Sequence, residues 1–578
     1  MRQEEFNYFP NFEARTDLSR YNDNALLLYT LQLRFGIEDI DEVATDSLVD
    51  GSDDKKTDLV YIDGDSGEAV IAQGFYAIKD RSEAPSNKAS DLNTAVTWLL
   101  TREISDLPER IRSAATELRQ KIRDNSIKRI TLWYSHNLPE STNVKDELKS
   151  AENTLASILE RHFSDNEVES LSLEVGLETI EDWYQALTIP ILMTDQIELD
   201  NTDGFEVNET DWQSFSTFFP ANILYDLFRA HHTKLFSANV RDYLGSRKSD
   251  SNINNGIKIT AETKPNNFFV YNNGITGIVN NYSFDESTKK LKVSGLSIVN
   301  GAQTTGAIGS LPERPAENMY VPIRLIKCSN PDTIAEIVKY NNSQNKINAP
   351  DFRSNDQYQK RITTEFSSLG AVSYSARRGG SADIIRRNPN LIPSVTAGQV
   401  LAAFHGEPSI AYNDKSKIWD SDRLYSMFFN DQTTAKHIFL CYSLMKAIED
   451  LKLELMSSTN ELLEQQENLL SFLRSRGSIV LFATAISDCI ELILNRRTPN
   501  KFRIAFCNTL TLEEAKAEWR KVLSIASSFV GQLSTGLQDG IKNKEKIDQA
   551  RSNFEQMMQA VRGANASVLD EFGSKICI

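Results

Sequence analysis

The chain has 578 residues, 40% of them hydrophobic and 25% charged, and its formal net charge is -17. A single hydrophobic core stops growing at about 250 to 300 residues, so this length predicts roughly two to four domains. The absence of any run of about 18 apolar residues argues against a membrane span, and the negative charge argues against nucleic-acid binding outside a local basic site.

Residues 18–35 are predicted to form a helix, because apolar side chains recur there behind a polar N-cap. The segment 37–51 follows and is rich in aspartate and glutamate. Such a pattern is more typical of a solvated helix face than of a metal site.

A β-hairpin is predicted next, because residues 57–63 and 68–76 are rich in β-forming side chains and flank a Gly-Asp-Ser-Gly turn. Asp58 lies at the start of the first strand and Gln73 late in the second, so both side chains are expected at one edge of a sheet. The elements that follow alternate between helix and strand, which favours an α/β unit: helices 91–122 and 153–163, and strands 126–135, 169–175 and 190–197.

Two short apolar runs in the middle of the chain each lead into an amide-rich loop. Residues 268–271 and 296–299 are predicted to be buried strands that end in tight turns. The loops supply amide and hydroxyl groups and glycines, which suit ligand recognition better than proton transfer. The alternative is that they are simply good turn formers. The candidate ligand-binding residues in them are Asn272, Asn273, Gly274 and Thr276 in the first loop, and Asn300, Gly301, Gln303 and Thr304 in the second.

A third amide segment and a basic segment lie downstream. Helices are predicted at 212–228, 231–244 and 331–340 and a strand at 319–328, and the last helix leads into Asn342, Gln344 and Asn345. Arginines then concentrate, with Arg377 and Arg378 among them, and Tyr374 offers a stacking surface for a base or sugar. We expect these residues to bind a phosphate-bearing ligand, either a nucleotide or nucleic acid. The alternative is that the arginines pair with the surplus carboxylates.

From residue 396 onward the sequence predicts helices and shows no catalytic motif. The five cysteines (Cys328, Cys441, Cys489, Cys507 and Cys577) are scattered without C-x-x-C spacing, so we predict neither a disulfide framework nor a zinc site. The N-terminus lacks the apolar segment of a secretory signal. Together these features predict a cytoplasmic location.

The central motifs resemble the signature of the AIPR (abortive-infection phage-resistance) family. In that family a phenylalanine-led strand enters an N-N-G-I-T loop and a second strand enters an N-G-x-Q-T loop, which here are 272–276 and 300–304. The resemblance covers roughly residues 223–387 and implies an anti-phage role. The second loop is also similar, less closely, to nucleotide-using loops of DNA-partition-like domains, although it lacks their terminal arginine.

Members of this family often carry an N-terminal domain of the PD-(D/E)XK nuclease type, and Asp58 and Gln73 match its metal-binding pair. The resemblance implies Mg²⁺ as cofactor, with Asp58 and Gln73 as both metal and catalytic residues. The lysine of the motif is replaced by Phe75, and Lys79 lies roughly 13 Å further along the strand direction. Lys88, in the following segment, is a further candidate. An active nuclease, an inactive nuclease-like domain and an unrelated α/β sheet all remain open.

These observations predict a multidomain α/β protein: a restriction-endonuclease-like domain at 1–200, a central AIPR ligand-recognition domain at 201–395 and a helical C-terminal domain at 396–578. The predicted function is anti-phage abortive infection, with metal-dependent cleavage of nucleic acid. The alternatives are a non-catalytic sensor of a nucleotide or phage product, and a structural subunit of a defence complex. The expected partners are nucleic acid or nucleotide, a second copy of the chain or other defence proteins, and no membrane.

Overall fold

The computed structural model describes most of the chain, and its cores define three units. The described residues are 4, 6–79, 81–188, 191, 193–231, 235–236, 248–316, 318–328, 330–342, 353, 356–376, 390–458 and 461–578. Buried apolar side chains from Tyr8 to Trp183 form the core of the N-terminal unit. Those from Ile191 to Leu325 form the core of the central unit, and those from Ile362 to Ile576 form the core of the C-terminal unit.

The N-terminal unit is built on a four-stranded sheet in the order β1-β2-β3-β4. The predicted hairpin is present, since β1 and β2 are antiparallel, whereas β2, β3 and β4 run parallel. Parallel neighbours need a crossover connection, and here helices supply it. The strands are β1 (Leu59–Asp63), β2 (Glu68–Phe75), β3 (Arg129–His136) and β4 (Glu169–Val175).

Helices cover both faces of this sheet. Successive strand residues point to opposite sides, and in β2 the residues on both sides are apolar and buried. Ala69 and Ile71 face one core, while Val70 and Ala72 face the other. The region 91–122, predicted as one helix, is divided into two around residues 104–106. The helices are α1 (Tyr8–Glu13), α2 (Ala25–Phe35), α3 (Ile40–Ser47), α4 (Ser86–Ser90), α5 (Leu92–Thr101), α6 (Glu109–Arg123), α7 (Thr142–His162) and α8 (Leu177–Thr188).

The central unit holds a seven-stranded sheet in the order β5-β10-β8-β11-β7-β6, with β9 paired to β10. The strand predicted at 319–328 is confirmed as β11; it pairs in parallel with β8 and antiparallel with β7. The strands are β5 (Met193–Leu199), β6 (Phe205–Asn208), β7 (Trp212–Pro220), β8 (Ile275–Val279), β9 (Asn281–Asp285), β10 (Lys290–Asn300) and β11 (Tyr320–Cys328).

Two predictions for the central unit are wrong. Trp212–Pro220, predicted to be helical, is strand β7, because its backbone pairs with β11 along nine residues. Phe268–Tyr271, predicted to be a buried strand, is a short helix whose Val270 is 73% exposed. The helices of this unit are α9 (Ala221–His231), α10 (Lys248–Thr263), α11 (Phe268–Tyr271), α12 (Ala302–Gly309) and α13 (Pro331–Asn342).

The C-terminal unit is helical, as predicted, and its core begins at Ile362, upstream of residue 396. Short strands β12 (Ser373–Ser375) and β13 (Leu391–Pro393) pair near its start, and β14 (Ala505–Phe506) pairs with β15 (Ile576–Cys577) near its end. The helices are α14 (Gln357–Leu369), α15 (Ser394–Phe404), α16 (Pro408–Asn413), α17 (Lys417–Asp420), α18 (Asp422–Phe428), α19 (Ala435–Ser457), α20 (Glu464–Arg474), α21 (Ser478–Asp488), α22 (Ile490–Leu494), α23 (Leu512–Ala526), α24 (Lys544–Val561) and α25 (Ala566–Ser574).

A disulfide joins Cys507 to Cys577, so the prediction that the cysteines form no disulfide is wrong. The two residues are 70 positions apart in sequence. They meet because β14 and β15 pair, with Cys507 N donating to the carbonyl of Lys575. Sequence spacing alone cannot show such an approach.

The N-terminal and C-terminal units pack against each other through buried charged groups. Lys446 of α19 lies 2.7 Å from carboxylate oxygens of both Asp39 and Glu449, and all three side chains are buried. We call these residues the Lys446 ion triad. Among the described helices, none alone has the length and apolar character of a membrane span; α20 and α21 have it only when joined across a bend of 110°.

Candidate metal centre and amide cluster

Asp58 and Gln73 come together at one edge of the N-terminal sheet. Asp58 precedes β1, and its backbone N donates to the carbonyl of Ala72 in β2. Its carboxylate accepts hydrogen bonds from Gly74 N at 2.7 Å and from Gln73 Nε2 at 3.3 Å. Both side chains are buried. The hairpin register thus places the carboxylate beside the side-chain amide.

A lysine approaches this pair from a helix, whereas the motif lysine of the nuclease family would lie on strand β2. Lys88 lies on α4, beyond the end of the hairpin, and its Nζ is 3.5 Å from Gln73 Oε1. Phe75 occupies the motif position and packs on the core of the N-terminal unit. Lys79 is exposed beyond the end of β2. Lys88 therefore supplies the positive charge that the strand itself lacks.

Two further carboxylates complete the cluster. Oxygens of Asp50, Asp54 and Asp58 all lie within 4.8 Å of one another. The loop that carries them is held to β1, because the backbone N atoms of Val49 and Asp50 both donate to the carbonyl of Asp58. Asp50 lies in the acidic segment that was predicted to form a solvated helix face, and Asp54 was not among the predicted site residues. The spacing D-x3-D-x3-D at 50, 54 and 58 was the available signal.

The electrostatics of the cluster favour a bound cation. Burial, helped by the charges of Asp50 and Asp54, raises the pKa of Asp58 to about 7, although the Gly74 N–H and the Lys88 ammonium oppose the shift. A divalent ion would relieve both the burial cost and the repulsion between the carboxylates. Three carboxylates are hard oxygen donors, which Mg²⁺ and Mn²⁺ prefer, whereas Gln73 turns its amide nitrogen toward Asp58 and its amide oxygen toward Lys88. The residues present therefore fit such an ion.

The two amide loops of the central unit also contact each other. Asn272 Nδ2 donates to Thr304 Oγ1 at 3.1 Å, and Asn272 Oδ1 accepts the backbone N–H of Gly274 at 2.9 Å. Gly301 has a φ of +91°, and a β-carbon there would lie 2.9 Å from the Gly274 carbonyl oxygen. Glycine is thus required at 301, where β10 turns into α12.

The end of α13 joins this amide cluster. Asn300 Nδ2 donates to the carbonyl of Asn341 at 2.9 Å. Arg324 of β11 donates to Asn341 Oδ1 at 2.8 Å and to Thr276 Oγ1 at 3.2 Å. Arg324 and Asn341 were not among the predicted site residues. Only the sheet order brings them beside the loops.

The remaining predicted residues of the loops lie at or near the amide cluster, at the end of α13, or outside the described residues. Asn273 is exposed and Gln303 is half-buried at the cluster. Asn342 is the last residue of α13, and Gln344, Asn345, Arg377 and Arg378 lie outside the described residues.

Tyr374 does not present the open stacking surface predicted for it. Its ring is buried and stacks on Phe366 at 5.2 Å, and its hydroxyl donates to Gln359 Oε1 at 2.5 Å. Arg361, from the same basic stretch, donates to backbone carbonyls of residues 430, 431 and 433. Both side chains therefore stabilise the C-terminal unit.

The fold and these two clusters define a multidomain α/β protein with an acidic, lysine-flanked cluster in one sheet and an amide cluster in another. The family model for AIPR protein matches residues 236–524, which is half of the 578-residue chain, and the chain belongs to this family. The match covers the amide cluster and extends into α23. No curated protein and no solved structure matches the chain. Membership of the AIPR family suggests an anti-phage, abortive-infection role.

Proposed function

We propose that this AIPR protein limits phage propagation as a metal-dependent nuclease whose site is the cluster of Asp50, Asp54, Asp58, Gln73 and Lys88. The observation that carries the proposal is the approach of Lys88 to Gln73 beside three clustered carboxylates. An acid, an amide and a lysine at one sheet edge are the groups that PD-(D/E)XK nucleases use.

The topology of the N-terminal unit supports the same proposal. An antiparallel hairpin is followed by helices, a parallel strand, a helix and another parallel strand. This order is compatible with a restriction-endonuclease-like domain. Asp58 is only 7% exposed, so a phosphodiester would approach from the side of the exposed Asp50 and the half-exposed Asp54.

In this proposal the residues divide the chemistry between them. Asp50, Asp54 and Asp58 would hold Mg²⁺ or Mn²⁺, which lowers the pKa of water and neutralises phosphate charge when bound. Gln73 would add its amide oxygen only if the side-chain amide turned over, because that oxygen accepts from Lys88 here. The Lys88 ammonium donates to a phosphate oxygen or orients the attacking water. Asp58 must give up its proton near neutral pH for the ion to bind, because its pKa is raised to about 7.

The test is cleavage of DNA and of RNA by the purified protein with Mg²⁺ or Mn²⁺. We expect Asp58→Asn to abolish cleavage and Lys88→Met to reduce it by about 10²- to 10⁴-fold, the usual range for a group that transfers or orients a proton. Lys79→Met is the matched control, because Lys79 is exposed beyond the strand end. Cleavage that is absent from the wild type, or unchanged in Asp58→Asn, would remove the nuclease assignment.

A second candidate function is ligand recognition at the amide cluster without catalysis. It is favoured by the convergence of both loops and Arg324 at the N-terminus of α12, because helix N-termini favour anions. A nucleotide should then raise the thermal midpoint of the wild type and of Asp58→Asn, but not of Gln303→Ala. Gln549→Ala, on the distant helix α24, is the control. An equal rise in Gln303→Ala and the control would reject this site.

A further inference from the structure

A pocket lined by four cationic side chains lies between the N-terminal and C-terminal units. Its apolar and acidic lining comes from Asp46, Leu48, Val49, Ala114 and Met456. The cations are Arg110 of α6, Lys452 of α19, and Arg474 and Arg476 at the end of α20 and just beyond it. They converge from both units on one small space.

The charges in this pocket are incompletely neutralised. Lys452 is buried, and its Nζ donates to the carbonyl of Thr45 at 2.7 Å. Arg110 donates to the carbonyl of Asp50 at 2.6 Å. A carbonyl satisfies a hydrogen bond but does not neutralise a buried cation.

The two arginines of the C-terminal unit have carboxylate partners, but one of them still has an N–H donor without a hydrogen-bond partner. Arg474 lies 3.4 Å from Glu109. Arg476 lies 3.0 Å from Glu117 and 3.8 Å from Asp46. The side chain of Arg476 is 5% exposed, and its buried Nε has no hydrogen-bond partner. Glu109, Glu117 and Asp46 thus pair with the two arginines, and one buried guanidinium donor has no hydrogen-bond partner.

The cations of the pocket titrate in different directions: the pKa values of Lys452 and Arg474 are lowered, whereas the pKa of Arg476 is raised because Asp46 and Glu117 outweigh its burial. Burial, helped by the charges of Arg476 and Arg474, lowers the pKa of Lys452 to about 8, although Asp46 and Glu449 oppose the shift. Burial also lowers the pKa of Arg474, with Arg110 adding to the effect. An anion in the pocket would reverse both shifts.

The pocket's dimensions select the part of the ligand that enters. Its volume of about 20 Å³ is enough for one water-sized group. Arginine side chains bind phosphate oxygens with paired, directed N–H groups, which a spherical ion cannot use as well. One oxygen of a phosphate can enter while the other oxygens stay at the mouth, where Arg110 and Arg474 are half-exposed.

We infer that this pocket binds a phosphate group, either free phosphate or the terminal phosphate of a nucleotide, and that the bound group holds the N-terminal and C-terminal units together. Arg110 also contacts the loop that carries Asp50. A ligand bound here therefore acts on the loop of the acidic cluster without entering that cluster.

The test is titration of the full-length protein with inorganic phosphate, with adenosine monophosphate and with chloride at constant ionic strength. We expect phosphate to raise the thermal midpoint by about 2 to 4 °C when it is present at about ten times its dissociation constant. Chloride should have no comparable effect. Equal affinity for phosphate and adenosine monophosphate assigns the site to the phosphate group alone, and tighter binding of the nucleotide assigns it to a nucleotide.

Variants separate this pocket from ordinary surface binding. Arg474→Gln and Arg110→Gln, two half-exposed positions from opposite sides, should each weaken phosphate binding at least tenfold by calorimetry. Arg520→Gln is the control, because Arg520 pairs with Glu454 outside the pocket. Asp58→Asn should keep full affinity, so the result does not depend on nuclease activity. Unchanged affinity in both pocket variants, or equal stabilisation by chloride, would overturn the inference.

Discussion

Replacing Asp58 by asparagine should stabilise the metal-free protein while it destroys the proposed metal site. The carboxylate is 7% exposed and close to two other acids. Asparagine has nearly the same shape, and its Oδ1 can still accept the N–H of Gly74. The substitution therefore removes the charge and keeps the main hydrogen bond.

The size of the effect follows from the raised pKa. The pKa of Asp58 rises from 3.8 to about 7 on folding, and each tenfold difference in proton affinity is worth about 1.36 kcal/mol. The folded state holds the proton more tightly, so the associated stability is present below pH 3.8 and is lost as pH rises through 7. At pH 8 the ionised carboxylate costs about 4 kcal/mol by this measure.

The assay is thermal unfolding of both proteins with chelator present, at pH 5 and pH 8. We expect Asp58→Asn to raise the midpoint of the N-terminal unit by about 8 to 16 °C at pH 8, and by less at pH 5. Mn²⁺ should then stabilise the wild type but not the variant. Asp65→Asn, at an exposed position of the hairpin turn, should change little.

Three results would refute this reasoning. The variant could be less stable than the wild type at pH 8, its gain could be equal at both pH values, or Mn²⁺ could stabilise both proteins equally. The first two would show that the Asp58 charge is not destabilising in the folded state. The third would place the metal elsewhere.

Other side chains allow independent predictions. Lys446→Met should destabilise the protein by about 3 to 5 kcal/mol in urea unfolding, because it leaves the two buried carboxylates of the Lys446 ion triad without their cation; a loss under 1 kcal/mol would contradict this. Burial lowers the pKa of His437 to about 4. The free energy of unfolding should therefore decrease as the pH falls from 6.5 toward 4, by at most about 1.4 kcal/mol per pH unit. In His437→Asn this decrease should be smaller. Gly301→Ala should cost about 1 to 2 kcal/mol because its φ is +91°, whereas Gly563→Ala, with open space around the added carbon, should not; equal midpoints would contradict the strain.

The hairpin was predictable because its determinants are local. Alternating β-forming residues and the Gly64–Gly67 turn fix the register, and the register fixes the distance between Asp58 and Gln73. The helices of the C-terminal unit were predictable for a similar reason, since apolar spacing shows which face each helix buries.

Short apolar runs were not predictable. Four residues such as Phe268–Tyr271 carry no period that separates helix from strand, and Trp212–Pro220 becomes a strand because β11 offers a partner along its length. A strand depends on hydrogen bonds to residues distant in sequence. Local pattern therefore leaves such segments undetermined.

The sequence by itself determined the family motifs, the hairpin with its acid and amide, and the helical character of the C-terminal unit. Only the tertiary structure decided which lysine approaches Gln73, which acids join Asp58, and that Cys507 meets Cys577. The physical reason is the range of the interactions. Turn geometry and helical periodicity act over a few residues, whereas a cluster of charges is assembled by packing elements that are far apart in the chain.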